Sequence, residues 1–409
     1  MSHGGRTYIA LAVAGLLMIS GAASAAPGDQ QERRSTPVAG PVKSVVVDAG
    51  VGSVSVRQGS KAVVEVLSRW TRNKPEVTVT NDRGVLRVTT RCLGPVNGPA
   101  VFIGGLDTCI TDIVVTVTSR DVATTIDVSG DVTLAGLRGK HDLDSRTGNV
   151  LLSGTSGAGL TVKTSGGTAT IRSATTDVAE LDSSTGNTVI ENLTVARQLA
   201  VETSGGRVLL RDVRAARLSL DSSTSTSTLE RVTVTGELAA QTSGGGLSLV
   251  DSRAGRLTLD SSTGDTDLSR VTATAVDIAT SGGGVTVDRL TTEILTMDAS
   301  TGDVFIAGSR TPTLQVQTSG GDVTVKTTKV TDLDIDASTG SIELDLPDAP
   351  LRLRGRTSGG DATVVVPQGR YRLELYGDQV FIDGVTADNS APRSIELVTS
   401  TGDIHLTGR

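Results

Sequence analysis

The chain has 409 residues, 2% aromatics, 48 glycines and a formal charge of −7 at pH 7. That balance supplies no basic surface for nucleic acid and no aromatic set on which bases could stack. Apolar content drawn from Val, Leu, Ile and Ala suits a repetitive all-β fold, which grows by addition and escapes the usual size limit of one core.

Arg6 precedes the apolar stretch Ile9 to Ile19, and Ala23-Ser24-Ala25 offers the small residues of a cleavage site. Residues 1–25 therefore read as a secretory signal peptide, with an uncleaved membrane tether as the alternative. Residues 26–40, with Pro27, Pro37 and the charged run Gln30 to Arg34, read as a flexible linker. The signal segment makes the expected location exported, that is periplasmic, cell-surface or secreted, and the C-terminal end carries no apolar segment.

The body, residues 41–409, is expected to be one β-helix domain, opening with irregular N-terminal coils and a cap over 41–130. Cys92 and Cys109 are its only cysteines and bracket the Gly/Pro-rich excursion Leu93 to Thr108. In an exported chain such a pair reads as a disulfide, worth about 3 kcal/mol for a loop of this size. A metal site is the competing reading, but the only histidines beyond the signal segment, His141 and His405, lie far away in sequence.

Over 131–360 the coils become regular. One phrase returns every 19 or 20 residues, spelled Thr-Ser-Gly-Gly or Asp-Ser-Ser-Thr-Gly. Its last position falls at Gly148, Gly167, Gly186, Gly206, Ser225, Gly245, Gly264, Gly283, Gly302, Gly321, Gly340 and Gly360. Apolar residues alternate on either side of it, as in Leu295 and Met297 before Gly302 and Val304 and Ile306 after it. Period 2 with tight Gly/Ser corners predicts a single-stranded parallel β-helix, or β-solenoid, with a right-handed crossover. The glycines Gly167 through Gly360 of this set are the expected structural corners.

The residue before the aligned position alternates strictly, Gly166, Thr185, Gly205, Thr224, Gly244, Thr263, Gly282, Thr301, Gly320, Thr339, Gly359, which makes the true repeat two coils long. Stacked coils lie about 4.8 Å apart, and the glycines are expected to leave room for the threonines. Asp144, Asp182, Asp221, Asp260, Asp298 and Asp336 form a column in alternate coils. At about 9.6 Å apart they cannot share calcium, whose ligands sit at roughly 2.3–2.6 Å. An Asx-type hydrogen bond to the Ser-Ser backbone of the same corner is the expected role. No metal or cofactor set emerges. Over 361–409 the repeat breaks, with an insertion at Thr386 to Ser394 and the late aromatics Tyr371, Tyr376 and Phe381, which read as a C-terminal cap or a binding surface.

The segment Val45-Val46-Val47-Asp48-Ala49-Gly50-Val51-Gly52-Ser53-Val54-Ser55-Val56, the segment Gly84 to Val88 and the serial Ser-Thr-Gly-Asp phrases resemble the bacterial putative-adhesin domains of unknown function, relatives of autotransporter-type adhesin heads. The resemblance spans about residues 41–409 and implies a β-helix of the cell envelope without catalytic residues to carry over. An enzyme of the polysaccharide-degrading β-helix type would need two carboxylates in differing environments and a cleft, and no such pair stands out. The expectation is a non-catalytic surface-binding module displaying repeated Thr/Ser/Asp faces to a cell-surface glycan, a cell-wall polymer or an envelope protein. A self-assembling envelope scaffold is the alternative.

Overall fold

The computed structural model describes residues 30–92 and 108–409. The expected signal peptide, and residues 26–29 of the expected linker, lie outside the described residues. Within them every regular element is a strand, and parallel strands stack into a β-solenoid of about 14 turns.

Each coil contributes a strand before the aligned glycine and another after it, forming two faces. The alternation seen in the sequence sets which side chains point inward. In Ala275–Thr280 the positions Val276, Ile278 and Thr280 are buried, and in Val285–Asp288 so are Val285 and Val287. Because neighbouring coils pair in register, like stacks on like. Leu257, Val276, Leu295, Leu314, Leu333, Leu353 and Ile395 form one inward ladder of the first face. Val285, Val304, Val323, Ile342, Ala362 and Ile404 form one of the second. Burying one such branched side chain stabilises by about 1.5–3 kcal/mol, and these ladders are repeated in every coil.

The aligned glycines turn the first corner, and their requirement is steric. A Cβ on Gly283 would lie 2.1 Å from the carbonyl oxygen of Gly264, one on Gly186 1.6 Å from that of Gly167, and one on Gly360 2.3 Å from that of Gly340. Backbone of one coil rests on backbone of the next, with no space for a side chain. The column extends past the repeat read from sequence, to Gly52 and Gly130 at one end and Gly402 at the other. Ser225 is tolerated within it next to Gly206, which adopts φ 84°.

The alternating glycines one residue earlier do not have that role. A Cβ on Gly282 would meet nothing nearer than 3.5 Å, and one on Gly166 nothing nearer than 3.8 Å. What distinguishes the two spellings is a hydrogen bond: Thr185, Thr224, Thr263, Thr301 and Thr339 donate to the carbonyls of Ser165, Ser204, Ser243, Ser281 and Ser319 in the preceding coil.

A second corner follows the second face, in left-handed backbone. Gly136, Gly154, Ser173, Asn192, Asp212, Arg231, Asp251, Arg270, Arg289, Gly308 and Thr327 occupy it, with φ from 51° to 68°. Non-glycine residues pay about 1 kcal/mol or more there, which explains the Gly, Asn and Asp among them. Arg231 and Arg270 compensate by clasping Asp212 and Asp251 of the preceding coil with two nitrogens each.

The two ends are built differently. At the N-terminal end, Val85–Cys92 stacks on Ser44–Val51 and is itself covered by antiparallel Pro75–Asp82. On the opposite face Cys109–Val117 stacks on Val54–Gln58 and carries antiparallel Val63–Trp70, which carries Gln30–Pro37. The linker expected over 26–40 is thus corrected for its second half: Gln30–Pro37 is an edge strand, since its backbone gains a full antiparallel ladder. The Cys92–Cys109 disulfide joins the strands that begin the two faces, with Cα atoms 6.2 Å apart.

At the C-terminal end the chain leaves coil 352–366, forms the outermost layer with Gly369–Tyr376 and Val380–Asp383, then returns to insert Ser394–Thr399 and Ile404–Gly408 between them. The insertion Thr386 to Ser394 is the path of that return. Tyr371 is buried, its hydroxyl donating to the Pro367 carbonyl.

Candidate functional site

Corner hydroxyls and carboxylates hold the surface in place before they display anything. Ser183, Thr242, Ser261 and Thr280, each just after the expected Asp column or its counterpart, are buried and donate to the carbonyls of Gly186, Gly245, Gly264 and Gly283. Among the described residues none of the column aspartates Asp144, Asp182, Asp221, Asp260, Asp298 or Asp336 makes the expected bond to its own corner. The N–H groups of that corner donate to the preceding coil instead, those of Ser184, Ser223 and Ser262 to the carbonyls of Thr164, Thr203 and Thr242. The Asx-type bond exists one position past the aligned glycine and runs between coils: Asp131, Asn149, Asp265, Asp303, Asp322 and Asp361 accept from the backbone N–H of Asn149, Thr168, Gly284, Asp322, Ser341 and Asp403. The column aspartates remain outward on the first face, free of that structural duty.

The outward rows of the first face become most strongly charged near the C-terminal end. Asp332, Arg352, Ser394 and Arg372 align in one row, and Gln315, Asp334, Arg354, Glu396 and Glu374 in the next. Together they line an open groove of about 480 Å³. Its charges pair across coils: Arg352 with Asp332 at 3.6 Å, Arg354 with Asp334 at 3.8 Å and with Glu396 at 3.5 Å, and Arg356 with Glu396 at 2.7 Å. The hydrogen bond from Arg356 holds the Glu396 carboxyl below the usual carboxylate range, against a smaller opposing effect of burial. The groove therefore presents fixed donors and acceptors at the inter-coil spacing of about 4.8 Å, a pattern suited to hydroxyl, amide or carboxylate groups repeated along a polymer.

Nothing in the groove isolates a carboxylate from its neighbours, and its walls are flat strands. Among the described residues no group of three or more His, Cys, Asp or Glu side chains is arranged to hold a metal ion, and no helix is long and apolar enough to cross a membrane. The sequence reading named the Asp column but missed the groove. The signal was available in the alternating Asp332-Asp334-Asp336 and Arg352-Arg354-Arg356 triplets, which fall in register once the coil length is counted through Gly340 and Gly360.

The family model of the Toastrack domain, DUF4097, matches residues 228–407. Over those residues the chain is similar to the Toastrack domain. The matched residues include every residue that lines the groove. Similar solved structures include a putative adhesin from Bacteroides fragilis, 14% identical, covering 74% of this chain and 97% of that one at a TM-score of 0.24. Another is a putative adhesin from Parabacteroides merdae, 13% identical, covering 74% and 97% at a TM-score of 0.26. A putative cell adhesion protein from Clostridium sporogenes is 9% identical and covers 93% and 100% at a TM-score of 0.17. No curated protein matches the chain. The expected link to autotransporter heads finds no support in these comparisons.

Proposed function

We propose that the protein is a non-catalytic binding module of the bacterial cell envelope, which lays its first face along a polar polymer such as a cell-surface glycan or cell-wall polymer. The observation that carries this reading is the registered array of outward carboxylates and guanidiniums from Asp332 to Glu374, spaced as evenly as the coils beneath them. The names of the similar structures and the Cys92–Cys109 disulfide, a bond favoured outside the cytoplasm, support an exported location. Each contact is weak, and the number of coils engaged supplies the strength.

Sedimentation of the labelled chain with purified cell-wall sacculi tests it. Arg354→Ala, which removes one guanidinium from the centre of the groove, is expected to weaken binding only a few-fold, while Arg352, Arg354 and Arg372 changed together weaken it by more than their separate effects. Release of sugar fragments from the sacculi, or complete loss of binding on one substitution, would contradict the display reading.

A further inference from the structure

The strongest asymmetry of the molecule is between its ends. At the N-terminal end the outer edge strands are tied across the mouth of the solenoid: Arg34 donates to the Val77 carbonyl, Lys74 pairs with Glu32, and Asn81 donates to the Ala39 carbonyl. Their outward residues include Glu76, Thr78, Thr80 and Asp82. Charged and polar side chains of this kind protect an edge from further pairing.

In the C-terminal layer Gly369–Tyr376 carries outward Arg370, Arg372 and Glu374, but Val380–Asp383 has only Asp383 beside three apolar residues. Val380–Asp383 pairs with Ile404–Gly408 on one side only, and Arg372–Tyr376 with Ser394–Val398 likewise. Val380, Phe381 and Ile382 are 41%, 48% and 48% exposed, and Tyr376 is 64% exposed. Val380 and Ile382 stand in line with the buried Ile404 and Leu406, so the core ladders of the second face run out into solvent here. Leu373 and Leu375 do the same on the first face, in line with Ile395 and Leu397.

We infer that this end docks a second copy of the chain, tail to tail, by antiparallel pairing of the open edges. The occupant follows from self-complementarity. An antiparallel pairing centred on Phe381 sets Val380 opposite Ile382 of the second copy and Phe381 opposite Phe381, with each ring already stacked on His405 at 4.7 Å. Centred on Glu374, the other edge sets Leu373 opposite Leu375 and the Arg372 guanidinium beside the Tyr376 ring, a cation–π arrangement, while the two opposed Glu374 carboxylates each have the second copy's Arg372 as diagonal neighbour to offset their repulsion. Directly opposed residues point to the same side of an antiparallel pair, so both core ladders continue unbroken into the second copy. Such a contact is isologous and closes at two copies. Arg372 and Glu374 also line the charged groove, which would then run across the joint from one copy to the other. The joint does not depend on what the rod binds.

Sedimentation velocity of the chain from about 1 to about 100 µM is expected to show a monomer–dimer equilibrium. Phe381→Glu should weaken the dimer at least about 30-fold, as for a central interface residue, with an unchanged circular-dichroism melt. Ile382→Lys provides the same reading should the first variant fail to fold. The native cysteines are bonded to each other, so Phe381→Cys introduces the one free thiol and should give a disulfide-linked dimer on mild oxidation, whereas Thr286→Cys, in the same outward row at mid-rod, should not. A monomer throughout the range, a dimer indifferent to both edge substitutions, or growth beyond two copies as in head-to-tail stacking would each overturn the inference.

Discussion

Alanine at Gly283 and alanine at Gly282 are one residue apart and should differ by about 3 kcal/mol. At Gly283 the added Cβ would lie 2.1 Å from the Gly264 carbonyl oxygen and 2.4 Å from its carbon, both backbone atoms that no rotamer can move aside. Relief requires the coils to part by about 1 Å, given that such contacts are ordinary only beyond roughly 3.2 Å. That separation stretches the bonds of the same corner, from Gly282 N to Ser262 O at 2.7 Å, from Ser281 N to Ser261 O at 3.1 Å and from Gly284 N to the Asp265 carboxylate at 2.9 Å. Overpacking costs about 1–3 kcal/mol and each weakened hydrogen bond about 1 kcal/mol, giving about 3 kcal/mol or more in total. At Gly282 the nearest atom is 3.5 Å away, and alanine there should be neutral or slightly stabilising through the unfolded chain. Urea unfolding followed by circular dichroism distinguishes the two, with a lower midpoint for Gly283→Ala and, where the rod decouples at that interface, a smaller m-value. Equal midpoints for the two variants would refute the stacked-backbone corner.

Three further outcomes follow from two buried groups and the disulfide. The Thr266 hydroxyl is buried in the core ladder without a hydrogen-bond partner, so Thr266→Val, which keeps its shape, should raise the melting midpoint by the equivalent of about 1 kcal/mol; a lower midpoint would reject it. His141 is buried, with Thr124 at one ring nitrogen and no partner at the other, and desolvation lowers its pKa below the ordinary 6.5. The neutral form is favoured in the folded state, so this contribution is intact above pH 6.5 and is lost as pH falls below it. Urea midpoints from pH 7.5 to 5 should decline in the native chain and decline less in His141→Leu; parallel declines would exclude His141. Reducing Cys92–Cys109 should destabilise the N-terminal cap by about 3 kcal/mol and leave the regular coils folded, which hydrogen exchange resolves coil by coil.

The regular coils were legible because inward pairs such as Leu295 and Met297 repeat at a fixed distance from a glycine that can be aligned by eye. The corner glycines were found for the same reason, although their cause lies in backbone contact between coils and not in the Thr/Gly alternation beside them. The second corner escaped notice because its column mixes Gly, Ser, Asn, Asp, Arg and Thr, and left-handed backbone leaves no single residue type behind when ion pairs such as Arg270 with Asp251 offset its cost. The C-terminal layer exchange was also hidden. Gly369–Tyr376 and Ser394–Thr399 both carry strand alternation, and only three-dimensional pairing shows which of them stacks on Arg352–Thr357. The charged groove depends on that exchange, since Glu396 reaches Arg354 and Arg356 only because its strand is the inner one.

Affinity as a function of coil number tests the display reading most directly. Removing residues 245–282 takes out one two-coil unit, joins Gly244 to Gly283 and leaves the groove from Thr313 to Glu396 untouched in sequence. The dissociation constant for sacculi, measured beside the full chain and beside Asp260→Asn, is expected to rise markedly for the shortened rod and to change little for the point variant, with both proteins melting cooperatively. An unchanged constant for the shortened rod, or loss of binding in Asp260→Asn alone, would contradict binding by display along the coils.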